Sequence, residues 1–510
     1  MRHLDLVAGT VARTPDKAAV ISGDRVLTFA DVDARIDRLG AALQARGVRP
    51  GDRVALLAAN ELEYVEIQGA CLRYGFALVP LNVRLAVPEL EFILRDCAPA
   101  VLVVGRAREG VVAALTSEAR PGEVLALGAA AELPSYDEAL AGAAEPAAPP
   151  LDPGLIATIL YTSGTTGRPK GAMIDRSGFS ARVLINSVEL RVRADDVHLA
   201  VLPMFHIAAF LTYAHVANGA TLAMLEEFSP EAALAEMERV GVTTTCLVPT
   251  IISMLTDHPA RPDHDLSRLR LIIYGGASID PEPLRGAIAA FGCDFHQQYG
   301  MTESGGQTIL RPEDHDPGDI HRLRSAGTEA VGVVVRVVDE HDHPLPPGQP
   351  GEIVCQAASL MVGYWNRPEA TDEALRGGWF HTGDIGLRDD FGYLHVTDRR
   401  NDMIVSGGEN VYPREVETVL VEHPAVSEIA VVGVPDPLWG QIVTAVVVGV
   451  GLPDDETLTA WARERLAAYK VPRRWVRVEE LPRNVTGKVL KHELRARLAP
   501  ADHETSPTRG

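Results

Sequence analysis

The sequence is poor in cysteine and has no long hydrophobic run. Its five cysteines, among 510 residues, are scattered, and none stands in Cys-x-x-Cys spacing. This pattern supports neither a disulfide framework nor a zinc site, and it fits a reducing compartment. No apolar run reaches the length of a membrane span, and residues 1–5 lack the apolar core of a signal peptide. We therefore expect a cytoplasmic protein without a membrane span.

Positive charge is also in short supply. The chain has 48 Lys and Arg against 69 Asp and Glu, which gives a formal net charge of −21. Such an acidic excess argues against nonspecific binding to nucleic acid or to an anionic membrane surface. It does not exclude an anionic small molecule, because a local loop can be positive on an acidic protein.

Periodic hydrophobic patterns divide the first 300 residues into alternating strands and helices. At 510 residues, 46% of them hydrophobic, the chain is long enough for at least two domains. Thr28 and Asp31 have capping-box spacing before the first long helix. The alternation predicts a large α/β domain of parallel, helix-covered sheets. The predicted strands are 53–57, 78–81, 100–104, 156–160, 198–202, 244–248 and 269–274, and the predicted helices are 32–45, 62–74, 88–97 and 228–240.

After residue 331 the pattern changes. Alternating β segments at 332–339 and 351–355 predict a small, more antiparallel β subdomain. Further on, a helix opened by Pro413, strands 428–434 and 443–450, and a helix at 456–469 predict a compact α+β domain. We expect an N-terminal domain at 1–398, a polar joint at 399–402 and a C-terminal domain at 403–510, with 500–510 disordered.

One segment has the composition of an anion-binding loop. A buried strand at 156–160 leads into Tyr-Thr-Ser-Gly-Thr-Thr-Gly-Arg-Pro-Lys-Gly at residues 161–171. Glycine lets backbone N–H groups approach an anion, the hydroxyls donate hydrogen bonds, and the lysine adds positive charge. The segment is not a Walker A loop, because Arg168 and Pro169 separate Gly167 from Lys170. A flexible surface turn has a similar composition, but a glycine loop after a buried strand favours phosphate binding.

Five further segments follow this loop along the chain. They are Tyr-Gly-Gly-Ala at 274–277, Tyr-Gly-Met-Thr-Glu at 299–303, Gly-Trp-Phe-His-Thr-Gly-Asp at 378–384, Ser-Gly-Gly-Glu-Asn at 406–410 and Pro-Arg-Asn-Val-Thr-Gly-Lys at 482–488. Together the six segments resemble the acyl-CoA synthetases of the adenylate-forming superfamily, the fatty-acid and aryl-acid CoA ligases. The resemblance implies an enzyme that converts a carboxylic acid and ATP to acyl-AMP and pyrophosphate, then transfers the acyl group to coenzyme A. It also implies Mg²⁺ bound with the ATP.

The resemblance assigns roles to individual residues. Lys488 matches the lysine that stabilises the adenylation transition state, Glu303 the glutamate that binds Mg²⁺, and Thr302 a hydroxyl that contacts phosphate. Without the motifs, Glu303 and Lys488 would be ordinary surface residues and Asp384 a turn residue. The expected contacts to ATP or AMP are Thr162, Ser163, Gly164, Thr165, Thr166 (also a metal contact), Gly167, Lys170, Gly275, Gly276, Ala277, Tyr299, Asp384 and Arg399. The expected contacts to coenzyme A are Gly407, Gly408 and Glu409.

At one position the chain departs from the family pattern. The resemblance implies a mobile C-terminal domain whose hinge falls at Asn401, where family members usually carry Lys or Asp. The domain rotates between the two half-reactions, because Lys488 must leave before the thiol can enter. Asparagine tolerates unusual φ/ψ values, so we still expect the hinge there. Arg473 and Arg474 have two interpretations, as contacts to the phosphates of coenzyme A or as a solvated positive face.

The resemblance also implies an acyl pocket. His206 matches a residue that guards the pocket, and we count it among the catalytic candidates, although a buried core histidine is the alternative. Amino-acid-activating relatives have Asp in place of His206, and malonate-type enzymes have Arg where this chain has Gln298. Both differences favour a hydrophobic monocarboxylic acid, with fatty and aromatic acids both open. The expected pocket residues are His206, Tyr274, Gly276, Met301 and Gly305.

The final acyl acceptor stays open in the sequence. Coenzyme A and the phosphopantetheine of a carrier protein present the same thiol arm, and an amine acceptor is a further alternative. A binding protein that kept the fold without the activity would be expected to lose Glu303, Asp384 or Lys488, and all three are present. A homodimer is left open as well.

Overall fold

The computed structural model divides the chain into two compact units. The first comprises Met1–Val335 and Val354–His381, and the second comprises Arg336–Ile353 and Thr382–Gly510. The predicted hinge residue Asn401 and the tail 500–510 lie outside the described residues, so the domain limits at 398 and 402 stay a prediction. The structure describes residues 8–106, 108–128, 132–143, 152–162, 169–399, 402, 404–406, 409–411, 413–436, 439–466, 468–483 and 489–499.

Strands and helices alternate through most of the described part of the chain. The strands are β1 (Ala18–Ser22), β2 (Arg25–Thr28), β3 (Arg53–Leu57), β4 (Ala77–Pro80), β5 (Val101–Val104), β6 (Glu123–Ala126), β7 (Ile156–Thr162), β8 (Lys170–Asp175), β9 (Val197–Ala200), β10 (Thr221–Met224), β11 (Thr244–Leu247), β12 (Leu271–Gly275), β13 (Asp294–Met301), β14 (Gly305–Leu310), β15 (Thr328–Glu329), β16 (Val333–Val338), β17 (Gly351–Ala357), β18 (Gly363–Tyr364), β19 (Phe380–Arg388), β20 (Leu394–Arg399), β21 (Ile404–Ser406), β22 (Glu409–Val411), β23 (Glu428–Asp436), β24 (Gly440–Val448) and β25 (Arg474–Arg477). The helices are α1 (Ala8–Val11), α2 (Phe29–Ala45), α3 (Glu63–Tyr74), α4 (Val87–Cys97), α5 (Glu109–Ala114), α6 (Tyr136–Ala141), α7 (Arg176–Glu189), α8 (Ala208–Ala217), α9 (Pro230–Val240), α10 (Pro249–Thr256), α11 (Pro281–Phe291), α12 (Ile320–Leu323), α13 (Pro368–Ala374), α14 (Pro413–Leu420), α15 (Asp455–Arg463) and α16 (Lys491–Leu498).

The first unit contains two large sheets, as the α/β alternation predicts. One has the strand order β15-β14-β13-β12-β11-β9-β10-β1-β2, and the other has the order β18-β8-β7-β4-β3-β5-β6. The neighbouring strands from β13 to β1 in the first sheet, and from β4 to β6 in the second, are parallel. Every residue of β4 and of β5 is buried, which explains their uninterrupted apolar sequences. The predicted parallel sheets are confirmed.

The sheet edges differ from the parallel pattern. β2 pairs with β1, β14 with β13, and β8 with β7, all antiparallel. In addition, β1 pairs with β10, so the N-terminal strands β1 and β2 join a sheet whose other strands begin at Val197 or later. Hydrophobic periodicity reports which faces of a strand are buried but not which strand lies beside it, so these pairings were not predictable.

Local signals at the helix ends are confirmed. The hydroxyl of Thr28 accepts a hydrogen bond from the Asp31 N–H at 3.1 Å, and the Asp31 carboxylate accepts one from the Thr28 N–H at 2.9 Å. This capping box starts α2 at Phe29. The predicted helix 456–469 is too long, because α15 ends at Arg463 and a separate 3₁₀ turn covers Ala468–Lys470. Pro472 disfavours helical geometry at the preceding residue, which limits any continuation.

Antiparallel β structure is present after residue 332, as the sequence predicts. β19 and β20 are antiparallel neighbours at the end of a sheet ordered β16-β17-β19-β20. A second sheet, ordered β22-β21-β24-β23 with β25 beside β24, is built around the long antiparallel β23–β24 pair. None of the described helices is long and apolar enough to span a membrane.

Candidate active site

Two glycine segments lie at the carboxyl ends of the parallel strands β12 and β13. A Cβ on Gly275 would lie 2.5 Å from the carbonyl oxygen of Gln298, and Gly276 has a φ of +78°. Both positions therefore require glycine, the first for close backbone approach and the second for conformation. Crevices at this end of parallel strands are where α/β proteins bind ligands. The predicted contacts Gly275, Gly276 and Ala277 lie at the carboxyl end of β12.

A tight hairpin joins β13 to β14 and carries the Tyr-Gly-Met-Thr-Glu segment. Tyr299 pairs with Thr308, Gly300 with Gly306 and Met301 with Gly305, with a β-bulge between Tyr299 and Gly300. A Cβ on Gly300 would lie 1.8 Å from the carbonyl oxygen of Gly305. The turn between the two strands consequently holds Thr302 and Glu303 in a fixed position beside Gly305.

Arg182, on α7, anchors this turn. Its Nη1 donates to the carbonyl oxygen of Thr302 at 2.9 Å, its Nη2 to that of Glu303 at 3.1 Å, and its Nε to that of Ser359 at 2.8 Å. The residue is only 2% exposed, and burial lowers the pKa of Arg182 to about 9. Arg182 was not among the residues predicted from the sequence. Its only sequence signal is a positive charge between Phe179 and Val183, which are buried on the same helix.

The Glu303 side chain belongs to a polar group that includes the lysine of the phosphate loop. The hydroxyl of Tyr364 donates to Glu303 Oε1 at 2.9 Å, and Lys170 Nζ lies 5.3 Å from the centre of the Tyr364 ring. Burial and the adjacent Glu303 carboxylate raise the pKa of Tyr364 well above its usual value, so it stays a donor. Among the described residues nothing donates to Glu303 Oε2, which leaves that oxygen available to a hard cation. Two predicted ATP-site residues are thus brought together.

The predicted phosphate loop connects two antiparallel strands. Thr162, at the end of β7, pairs with Lys170, at the start of β8. The hydroxyl of Tyr161 donates to Asp96 Oδ2 at 2.6 Å, and Arg367 forms an ion pair with the same carboxylate at 3.0 Å. These contacts hold the base of the loop. The residues between, including Ser163, Gly164, Thr165, Thr166 and Gly167, lie outside the described residues, and their roles stay predictions.

A cavity of about 370 Å³, counting its open mouth, lies beside Arg182. Four apolar side chains form much of its wall, while two glycines leave one side open. Gly305, a predicted pocket residue, is part of the wall. Tyr274 is fully buried instead, and its hydroxyl lies 3.0 Å from Nε2 of His315. The lining residues are Arg182, Ile185, Asn186, Ile207, Phe210, Leu211, Gln298, Gly305, Gly306 and Ser359.

His206 precedes the cavity-lining Ile207 and is mostly buried. Desolvation, with a smaller contribution from the charge of Arg84, lowers the pKa of His206 to about 4, so the imidazole is neutral at pH 7. Its ring packs edge-on against Phe205 with 4.6 Å between the centres. Within the described part of the chain, its buried Nε2 has no hydrogen-bond partner. A neutral imidazole can contact a substrate but cannot supply positive charge to the reaction.

The second unit carries the predicted ribose contacts. Asp384 and Arg399 are directly opposite each other in the β19–β20 register, and Asp384 is 6% exposed. Arg473 stacks on the ring of Trp439 at 3.8 Å, and Arg474 donates to the carbonyl oxygen of Leu498 at 3.2 Å, so both have partners within the protein.

The residues on either side of the Lys488 segment pair with each other. Arg483 and Val489 form an antiparallel bridge. Lys488, Gly407 and Gly408 themselves lie outside the described residues, and only the backbone of Glu409, in β22, is described. The predicted roles of these four residues are therefore not tested by the structure.

Comparison with known protein families decides the classification. The model of the AMP-binding enzyme family matches residues 7–365, and the model of the AMP-binding enzyme C-terminal domain matches residues 415–488. The chain belongs to the AMP-binding enzyme family. The resemblance inferred from the six sequence segments is therefore confirmed, and the chain is an AMP-forming ligase of the adenylate-forming superfamily.

Individual members of the family cover nearly the whole chain. The chain is 41% identical over 508 residues to a feruloyl-CoA synthase of an Amycolatopsis species, with 98% of this chain and 100% of that protein covered. It is 37% identical to the fatty acid–[acyl-carrier-protein] ligase ScoC of Streptomyces coeruleorubidus, with 95% and 94% covered. Among solved structures, the amide bond synthetase McbA from Marinactinospora thermotolerans matches with a TM-score of 0.88 and 33% identity, covering 97% and 99%. The family architecture thus extends over both units.

Proposed function

We propose that this chain is an ATP-dependent acid–thiol ligase that activates a hydrophobic, aromatic monocarboxylic acid as acyl-AMP and transfers the acyl group to coenzyme A. The observation that carries the proposal is the position of Arg182. This side chain lines the apolar cavity and at the same time holds the carbonyl groups of Thr302 and Glu303. An acid in the cavity would lie next to the segment expected to bind the metal and phosphates.

In this proposal Glu303 binds Mg²⁺, with Thr166 as a second contact. A carboxylate attacking a polyphosphate brings like charges together, and a divalent cation offsets that repulsion. Carboxylate oxygen is the ligand that Mg²⁺ prefers, and Glu303 Oε2 accepts no hydrogen bond from the described residues. Lys170 would hold the departing pyrophosphate, and Asp384 and Arg399 the ribose. Lys488 would stabilise the transition state with its positive charge.

The cavity supports a hydrophobic monocarboxylic acid. Four apolar side chains form much of its wall. Among the described wall residues the only cationic side chain is Arg182, and this guanidinium already donates to three carbonyl oxygens. A second substrate carboxylate would therefore find no available positive charge in this part of the wall. An acid with one carboxylate and an apolar body fits these features better than a dicarboxylate does, and a relative named feruloyl-CoA synthase favours an aromatic body.

The acceptor has one serious alternative. Relatives named as a carrier-protein ligase and an amide bond synthetase favour transfer to a carrier-protein phosphopantetheine or to an amine. Incubating the full chain with ATP, Mg²⁺ and aromatic and C2 to C18 fatty acids should release pyrophosphate with the aromatic acids. Coenzyme A, a pantetheinylated carrier protein and a primary amine are then compared as acceptors. Absence of pyrophosphate release with every acid would refute the proposed function.

Replacing Lys488 tests whether this residue acts in adenylation but not in thioester formation. Lys488→Ala should slow adenylation by at least ~100-fold, because a charge aimed at the transition state is lost. Thioester formation from a preformed acyl-AMP should be retained. Lys491→Ala is the matched control, since Lys491 Nζ pairs with Glu417 at 2.8 Å and is assigned no catalytic role. Equal loss of both half-reactions in Lys488→Ala would contradict the assignment.

A further inference from the structure

The cavity wall contains a hydrogen-bonded pair of amide side chains. Gln298, on β13, donates from Nε2 to Asn186 Oδ1 at 3.0 Å. Asn186, on α7, donates from Nδ2 to the carbonyl oxygen of Arg182 at 2.9 Å. Because the Asn186 nitrogen faces a carbonyl, its oxygen must be the atom turned towards Gln298. This arrangement fixes the orientation of both amides.

The orientation leaves one acceptor of the pair uncommitted. Within the described part of the chain, no group donates to Gln298 Oε1. This oxygen lies 3.7 Å from the position that a Cβ on Gly306 would occupy, so it faces the side of the cavity where the wall has no side chain. Four other side chains of the wall are apolar, those of Ile185, Ile207, Phe210 and Leu211. A hydrogen bond from a substrate donor to an acceptor in such surroundings favours substrate binding. An apolar group that displaces the acceptor's water without replacing its hydrogen bond disfavours binding.

We propose that Gln298 selects substrates whose hydrophobic body carries a neutral hydrogen-bond donor, namely aromatic carboxylic acids with a ring hydroxyl. The inference rests on the proposed function and deepens it. A flat ring suits a compact cavity lined by Phe210, Ile207 and Leu211. A phenol donates to Gln298 Oε1, whereas its methyl ether cannot donate and leaves the acceptor unsatisfied. Arg182 is committed to main-chain carbonyls, and the Ser359 hydroxyl donates to the carbonyl oxygen of Ser304. We therefore assign the discrimination between the phenol and its methyl ether to Oε1.

The test measures discrimination within matched acids. For the wild-type chain, kcat/KM of pyrophosphate release is determined with 3- and 4-hydroxycinnamic acid, the corresponding methoxycinnamic acids, and unsubstituted cinnamic acid. We expect at least one hydroxy acid to be preferred roughly tenfold over its methyl ether and over cinnamic acid, the effect of one hydrogen bond and one avoided unpaired acceptor. Equal kcat/KM values for all members of the series would overturn the inference.

Two variants test whether Gln298 causes the preference for the hydroxy acid. Gln298→Met keeps a similar side-chain length and removes the amide acceptor, so the preference for the hydroxy acid should fall to about twofold or less. Gln297→Met is the matched control, because Gln297 is the same residue type one position earlier on β13 and points to the opposite face of the sheet. It should retain the preference. An unchanged preference in Gln298→Met overturns the role of Gln298.

The two proposals fail in different ways. If no acid led to pyrophosphate release, both the proposed function and this inference would be refuted. Release without discrimination among the matched acids would refute only the role of Gln298. The wild-type series is decisive even if Gln298→Met fails to fold, since it needs no variant.

Discussion

Arg182 lies outside all six sequence motifs, yet it organises part of the candidate active site. A buried guanidinium is costly unless its N–H groups are satisfied and its charge is stabilised. In this fold three carbonyl oxygens accept its hydrogen bonds, and the Phe210 ring lies 4.8 Å from its central carbon. The stabilisation fixes the backbone of Thr302 and Glu303. We therefore regard Arg182 as a positioning residue for the turn that we propose binds Mg²⁺.

Arg182→Lys should impair catalysis more than it impairs folding. A lysine cannot reproduce the planar fork that reaches three separate carbonyls. We expect kcat for adenylation to fall by about tenfold or more and the apparent KM for Mg·ATP to rise, because the turn holding Glu303 loses its anchor. Steady-state pyrophosphate release and thermal unfolding measure the two effects.

Arg176→Lys provides the matched comparison for this change. Arg176 is also buried on α7, but it donates to the carbonyl oxygen of Leu72. We expect this variant to lose stability without a change in the KM for Mg·ATP. If both variants lowered the melting temperature equally and neither changed kcat or KM, the positioning role of Arg182 would be wrong.

At the scale of elements, the β13–β14 hairpin determines where Glu303 stands. Its close approach depends on Gly300, whose missing side chain makes room for the Gly305 carbonyl. The motif Tyr-Gly-Met-Thr-Glu was recognised in the sequence, yet its antiparallel pairing with β14 was not. Periodicity shows which residues are apolar, whereas a hairpin within a mostly parallel sheet is set by pairing partners. Strands such as β3 and β12 and the capped helix α2 were predictable, because their signals are local.

Gly300→Ala should break this hairpin. The new methyl group would overlap the Gly305 carbonyl, and we expect a loss of about 3 kcal/mol or more in unfolding free energy together with loss of adenylation. Chemical denaturation monitored by circular dichroism measures the stability.

Gly286→Ala is the control for Gly300→Ala. Gly286 lies within α11, and a Cβ there meets nothing within 4 Å. Alanine in an open helical position should raise the unfolding free energy by ~0.5–1 kcal/mol and leave activity unchanged. Stable, active Gly300→Ala protein would show that the hairpin tolerates a wider turn.

At the scale of the whole molecule, several histidines are buried in neutral form. Desolvation lowers the pKa of His206 and of His215 to about 4 and that of His296 to about 3, and it also lowers the pKa values of His198 and His315. His198 and His215 stack at 4.0 Å, and the hydroxyl of Thr244 lies within hydrogen-bond distance of both rings. In the unfolded chain each imidazole binds its proton near pH 6.5.

These pKa shifts predict that the free energy of unfolding already falls at pH values above those at which carboxylates titrate. Between pH 6.5 and about 4 the unfolded chain binds more protons than the folded one, so unfolding free energy falls as pH is lowered. From pH 7.5 to 5.5, His206, His215 and His296 should each contribute a loss of roughly 1 kcal/mol, because their folded-state pKa values are about 4 or lower. Chemical denaturation at the two pH values measures the total loss.

One variant measures the contribution of His215 to the pH dependence of the unfolding free energy. His215→Asn should reduce the pH-dependent loss by roughly 1 kcal/mol, because one shifted titration is removed. His341→Asn, at an exposed position, should leave the pH dependence as in the wild type. A wild-type unfolding free energy that does not change between pH 7.5 and 5.5 would contradict the buried neutral state.

The chain's amino-acid order alone was enough to indicate an acyl-activating ligase of α/β architecture. Glycine, hydroxyl and charged residues in six ordered segments carry that information, because each segment's chemistry is local. The anchoring of Glu303 by Arg182 and Tyr364, the cavity between α7, α8 and the β13–β14 hairpin, and the unsatisfied oxygen of Gln298 emerged only from the folded chain. They join residues that are distant in the sequence, 61 positions apart for Tyr364 and Glu303 and 121 for Arg182 and Glu303. Such contacts depend on strand pairing and side-chain packing that no local pattern encodes.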